Sequence, residues 1–154
     1  MREIQGDLLS LADTGMFDVI AHGCNCFCTM GAGIARQIAR QYPEALLIDK
    51  KTLHGSRLKL GTLSVAQVTT PSGRPLVIVN LYTQYNWGGE HPLEYRALEE
   101  CLETLSIQYA DKRVGIPWIG CGLAGGNVGK VREILERVLG PHVDLTVVEY
   151  KPGT

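Results

Sequence analysis

Short apolar runs alternate along the chain with longer stretches in which apolar residues return every three or four positions. Residues 19–21, 63–68, 76–81, 114–116 and 145–148 are rich in Val, Ile and Leu, the pattern of strands buried on both faces. Residues 3–5 predict a further strand ending at Gly6-Asp7. Between these runs the period changes. Ile34, Ile38 and Tyr42 repeat at four, and Pro43 closes that segment. Residues 93–109 carry Leu98, Cys101, Leu102 and Leu105 on one helical face. Residues 128–139 carry Val131, Ile134, Leu135 and Val138, with Gly140-Pro141 as the stop. Strands alternating with helices predict an α/β domain of three layers, α/β/α. The segment 69–74 (TTPSGR) has hairpin-turn composition, so the central sheet is expected to be mixed.

Length sharpens this expectation to one domain spanning residues 1–154. Hydrophobic residues make up 45% and charged residues 20%, a globular balance. The net charge is −1, with no run of five like charges. This argues against a nucleic-acid or membrane surface driven by bulk charge. It leaves open a small anion held by backbone N–H groups. No apolar run approaches the roughly 18 residues of a membrane span, and Met1 leads into no apolar leader. Five cysteines, three of them within five residues, make a poor disulfide framework, so a reducing cytoplasm is the expected home.

Glycine changes the picture most. Gly31-Ala32-Gly33 falls between the strand at 19–21 and the helix from Ile34. The run Gly120-Cys121-Gly122-Leu123-Ala124-Gly125-Gly126 falls between the strand at 114–116 and the helix from Val128. Both are strand-to-helix turns, the ligand side of an open α/β sheet. Each offers N–H groups at the positive end of a helix dipole. Together they predict a diphosphate cradle formed by Gly31, Ala32, Gly33 and Ile34 on one side and Gly120, Cys121, Gly122, Leu123 and Ala124 on the other.

The stretch HGCNCFC, residues 22–28, holds a histidine and three cysteines at alternating positions. In extended chain His22, Cys24, Cys26 and Cys28 share a face, but they are spread over roughly 20 Å. Zinc ligands converge within a tetrahedron, and no second Cys or His pair completes a set. No metal is expected, and Cys24 and Cys26 are expected as small buried hydrophobes. Asn25 either caps the loop or hydrogen-bonds a ligand. Tyr82, Tyr85 and Trp87, ahead of Gly88-Gly89, are either a lid or ordinary loop aromatics. Trp118 belongs to either core or site, Tyr150 is a candidate to stack on a base, and Asp7 is either a helix cap or a ligand acceptor.

Three motifs together resemble a macrodomain: Gly6-Asp7-Leu8, His22-Gly-Cys-Asn-Cys26 leading into Met30-Gly-Ala-Gly-Ile-Ala35, and Ile116-Pro-Trp-Ile-Gly-Cys-Gly-Leu-Ala-Gly-Gly126. Their order and spacing match along nearly the whole chain. The resemblance implies a domain that binds ADP-ribose and, as some members do, hydrolyses bonds at the distal ribose; no cofactor or metal is expected. It implies Asp7 on the adenine amino group, Asn25 on the distal ribose, and Leu8, Met30 and Ile119 beside the ligand. The HxxNC lead-in and Asn80-Leu-Tyr-Thr-Gln84 are most similar to the branch holding ADP-ribose-1''-phosphate phosphatases and the terminal ADP-ribose protein glycohydrolase. That glycohydrolase uses a lysine and an aspartate where this chain has Gln84 and Ala124. The phosphatases have a histidine at His22. The resemblance therefore favours hydrolysis of ADP-ribose-1''-phosphate, with His22, Asn25 and Gln84 as the catalytic candidates and Gln84 orienting water. ADP-ribosylated proteins or nucleic acids are the alternative substrates, and a non-catalytic ADP-ribose reader is the rival of another class.

Overall fold

The computed structural model describes residues 1–86, 93–120 and 126–151. Six strands form one sheet: β1 (Arg2–Gly6), β2 (Val19–Cys24), β3 (Leu63–Thr69), β4 (Pro75–Tyr82), β5 (Arg113–Ile116) and β6 (Asp144–Tyr150), in the order β1-β6-β5-β2-β4-β3. All neighbours run parallel except β3, which pairs antiparallel with β4. The 69–74 turn makes that hairpin, with Thr70 N–H donating to the Arg74 carbonyl at 2.8 Å. The mixed sheet follows from it.

Period-two alternation splits the core. Val19 and Ala21 of β2, with Val79 and Leu81 of β4, face α4 (Tyr95–Gln108) and α5 (Val128–Ile134) through Leu98, Leu102, Leu105, Val131 and Ile134. Ile20 and Ile78 point the other way, onto Leu8, Leu9 and Ala12 of α1 (Leu8–Asp13), Ile38 of α2 (Gly33–Gln41) and Ala45 of α3 (Pro43–Lys50). These are the three layers that alternation of strand and helix implies. A π turn at Leu135–Leu139 carries α5 on to Gly140. Among the described residues no helix is long and apolar enough to cross a membrane.

Two helices lie outside the expected pattern. Asp7 caps α1, its Oδ1 accepting from the Leu9 and Ser10 N–H groups at 3.0 and 3.2 Å. Pro43 ends α2 and also opens α3, at a first-turn position where its missing N–H costs nothing.

Candidate functional site

Strands β1, β6, β5, β2 and β4 are mutually parallel, so their C-terminal ends share one edge of the sheet. A cleft of about 480 Å³ opens there, within the range of small-molecule sites. The end of β2 supplies Gly23 and Cys24, the segment after it Asn25 and Thr29 through Ala32, and the first turn of α2 Gly33 through Ala35. Gln84 comes from beyond β4, Trp118 and Gly120 from beyond β5, and Asp49 from α3.

The β2–α2 segment is built to expose backbone. The first turn of α2 has no side-chain cap and no acidic residue, so its N–H groups and the helix dipole are left for an anion. Gly33 takes φ +57°, and a Cβ there would meet nothing within 4 Å; conformation rather than space demands glycine. Cys28 (φ 58°) and Met30 (φ 43°) hold the same left-handed region without being glycine, at a cost of order 1–3 kcal/mol each. Side chains hold them there. Asn25 Oδ1 accepts from Phe27 N–H at 2.8 Å and its Nδ2 donates to Thr29 Oγ1 at 2.7 Å. Lys59 Nζ donates to the Cys26 carbonyl at 3.3 Å and to Cys28 Sγ at 3.5 Å, and Cys28 Sγ donates to the Asp49 carbonyl at 3.2 Å.

Beneath this loop runs a buried chain of polar groups. On the face of the sheet that carries Ile20, Ile78 and Ala66, the next rung toward the cleft is polar. His22 stands opposite Asn80, and Asn80 opposite Ser64. Proton positions follow from the partners. Asn80 Nδ2 donates to the Ala45 carbonyl at 3.1 Å, which can only accept, and to Ser64 Oγ at 3.0 Å. Asn80 Oδ1 is therefore the acceptor for His22 Nε2 at 2.6 Å, and His22 carries its proton on Nε2. Tyr82 OH donates to Asp49 Oδ1 at 2.7 Å. Ser64 accordingly donates to Tyr82 OH at 2.8 Å. From His22 onward, one donor of each group thus points along the chain toward Asp49.

Burial sets the protonation of this chain. His22 is wholly inaccessible, and loss of hydration lowers its pKa to about 4 against the opposing Asn80 bond. Burial raises the Asp49 carboxyl, opposed by the Tyr82 bond and the Lys59 charge. Burial likewise raises the Tyr82 phenol and the Cys24 thiol. Lys59 Nζ lies 4.0 Å from Asp49 Oδ1 with side-chain exposures of 5% and 1%, and 4.4 Å from the Tyr82 ring centre. One Asp49 oxygen, Oδ2, has no hydrogen-bond partner.

The sequence-derived candidates divide. Asn25, Met30, Gly31, Ala32, Gly33, Ile34, Gln84 and Gly120 all line the cleft, and Trp118 joins them. Gln84 Nε2 donates to the Asn86 carbonyl at 2.8 Å. His22 does not line the cleft: it lies buried under Cys24, whose Sγ is 3.8 Å from Nδ1. Tyr82, a candidate lid or loop aromatic, is neither: it ends β4 and is fully buried in the polar chain. Tyr85 is anchored, its OH donating to the Gly55 carbonyl at 2.8 Å and its ring 3.9 Å below Arg57. Leu8 and Ile119 are core residues. Asp7 and Tyr150 stand at the same sheet edge, where Gly6 pairs with Tyr150, and Tyr150 is exposed. Cys24, Cys26 and Cys28 do not share a face, because the strand stops at Cys24 and the chain then turns. Trp87 with Gly88-Gly89, and Cys121, Gly122, Leu123 and Ala124, lie outside the described residues. Asp49 and Lys59 carry no sequence signal of their own. Lys50 and Lys51 beside Asp49, and Arg57 beside Lys59, give both the look of solvated surface.

An open α/β sheet with a backbone-lined cleft across its strand ends defines a class of small-ligand domain. The chain belongs to the Macro domain family, whose model matches residues 21–135. It is 34% identical to an uncharacterized 17.5 kDa protein of Enterobacteria phage T4, over 99% of this chain and 97% of that one. It is 29% identical to an ADP-ribose 1''-phosphate phosphatase of Lodderomyces elongisporus, covering 90% and 92%. A DNA ADP-ribosyl glycohydrolase of Mycobacterium tuberculosis is 28% identical over 96% of this chain but only 41% of its own length. The fold superposes on the macrodomain of Mycobacterium tuberculosis DarG with a TM-score of 0.71 at 23% identity, covering 99% and 100%. It superposes on Thermosipho africanus DarTG in complex with ADP-ribose with a TM-score of 0.75 at 16% identity, covering 100% of this chain and 43% of that one.

Proposed function

We propose that this chain binds ADP-ribose in the cleft and hydrolyses the bond at C1'' of its derivatives, ADP-ribose-1''-phosphate first. The observation that carries this reading is the uncapped first turn of α2 within a cleft lined by Gly31 through Ile34 and by Gly120. Free N–H groups at a helix N-terminus hold a diphosphate without a basic side chain. The strand order supports one direction for the ligand. The β2 and β5 exits, which are neighbours, take the diphosphate. Asp7 and Tyr150 at the β1–β6 edge take adenine, with the acid accepting from the base amino group. The β4 exit, four strand spacings or about 19 Å from β1, takes the distal ribose beside Asn25 and Gln84. The phosphatase relative matches nearly end to end, and no lysine stands at residue 84.

In this reading Asn25 and Gln84 orient the C1'' phosphate and a water, and His22 acts as a positioning residue. Its ring is sealed from the cleft, and its N–H is committed to Asn80. The test is phosphorus NMR of ADP-ribose-1''-phosphate with catalytic amounts of protein in EDTA. Inorganic phosphate should accumulate. Broadened diphosphate lines without phosphate release would overturn the hydrolase reading in favour of a non-catalytic reader. The cradle has its own check: Gly33→Glu should abolish ADP-ribose binding in calorimetry while the circular dichroism spectrum is kept. Unchanged affinity would remove the cradle assignment.

A further inference from the structure

The geometry points to Asp49 as an unassigned binding residue of the cleft. Its Oδ2 accepts a hydrogen bond, directly or through one water, from a hydroxyl of the sugar beyond the diphosphate, with Lys59 and Tyr82 as its positioning residues. This inference rests on the ADP-ribose reading above. Asp49 lines the cleft although it is 1% exposed. Oδ1 is committed to Tyr82 OH at 2.7 Å and faces Lys59 Nζ at 4.0 Å. Oδ2 has no donor at all. A buried carboxylate oxygen without a donor is costly, and such a group in a native fold calls for a ligand or water to complete it.

Chemistry and topology select the donor. A carboxylate repels a diphosphate, so the partner is an N–H or O–H group. Asp49 is bonded to the last residue of β4, whereas the adenine end lies at β1. The hydroxyls of the distal ribose are the donors at the β4 end. The polar chain from His22 ends on Oδ1, so each of its protons is spent before reaching Oδ2, which is left as a pure acceptor.

The experiment compares ADP-ribose with ADP, which lacks that sugar, by calorimetry on the wild type, Asp49→Asn, and the double variant Asp49→Asn with Lys59→Met. The ratio of the two affinities is the readout, because any shift of the phosphate loop weakens both ligands and cancels. The wild type should prefer ADP-ribose. Asp49→Asn should cut that preference about tenfold while ADP affinity stays within about twofold. The double variant removes both buried charges, covers the case in which Asp49→Asn alone does not fold, and should lose the same preference. A wild-type ratio near one, or a ratio unchanged in the variants, overturns the assignment. Absence of binding by the wild type to either nucleotide overturns the ADP-ribose reading itself.

Discussion

Two sets of charged and polar contacts sit in different solvents. Beneath the cleft, His22, Asn80, Ser64, Tyr82, Asp49 and Lys59 form one connected chain in which every member is buried. At the rim of the molecule, Arg113–Asp18, Arg132–Glu3, Arg137–Glu133 and Arg2–Asp144 are short ion pairs whose side chains are 38–64% exposed. Shorter contacts are not stronger contacts here. Rim pairs at 2.6–2.8 Å compete with water and salt. The 4.0 Å pair of Lys59 and Asp49 has no such competitor, so losing either partner strands the other in low dielectric. The difference teaches that desolvation, not distance, ranks these groups.

The largest expected effect breaks the buried pair. Lys59→Met should destabilise the protein by about 3–5 kcal/mol, because Asp49 is left as an uncompensated buried charge. It also frees the Cys26 carbonyl and Cys28 from their shared donor. Adding Asp49→Asn should restore more than half of the loss. Urea midpoints of the two single variants and the double variant check this. Additive losses would mean that the pair is not coupled and that the comparison with the rim fails.

The second effect is on pH. His22 titrates near 4 in the fold and near 6.5 when unfolded. Between those values the unfolded chain binds more protons, so stability falls as pH is lowered through the window. The contribution is fully present above pH 6.5 and amounts to about 3 kcal/mol lost by pH 4. His22→Gln should flatten that part of the urea-midpoint profile relative to the wild type. An equally steep profile in the variant would mean that His22 is not the group that resists protonation.

The strands and the Gly31–Gly33 turn are legible because their signals are local: apolar runs, period-four helices, and small residues between them. The hairpin at 69–74 and the mixed sheet follow from the same local chemistry. The helix α3 is hidden because Pro43 is a stop for one helix and a start for the next. The polar rung is hidden for another reason. His22, Asn80 and Ser64 each stand within an otherwise apolar strand, and only the register of β2, β4 and β3 makes them neighbours. The same applies to Asp49 and Lys59, which local composition assigns to the surface and tertiary packing buries. At the cleft, Asn25, Gln84 and the Gly31–Ile34 segment are legible, whereas the placement of His22 under Cys24 depends on which face β2 turns inward.

The smallest effect belongs to the best-formed rim pair. Arg113 donates through Nε and Nη2 to the two Asp18 oxygens at 3.1 and 2.8 Å, and through Nη1 to the Gly15 carbonyl. This fork geometry is the strongest case the surface offers, and the hydrogen bond from Arg113 holds the Asp18 carboxyl below its usual range. The side chains are nevertheless 49% and 38% exposed, so the pair must be discounted for water and counterions. A double-mutant cycle of Arg113→Ala and Asp18→Ala should give a coupling below about 1 kcal/mol. Raising the salt to about 1 M, where the Debye length is about 3 Å, should reduce it further, while the Lys59–Asp49 coupling stays within error. Equal salt sensitivity of the two couplings would mean that counterions screen the buried pair as they screen the rim, and that burial does not separate the two sets.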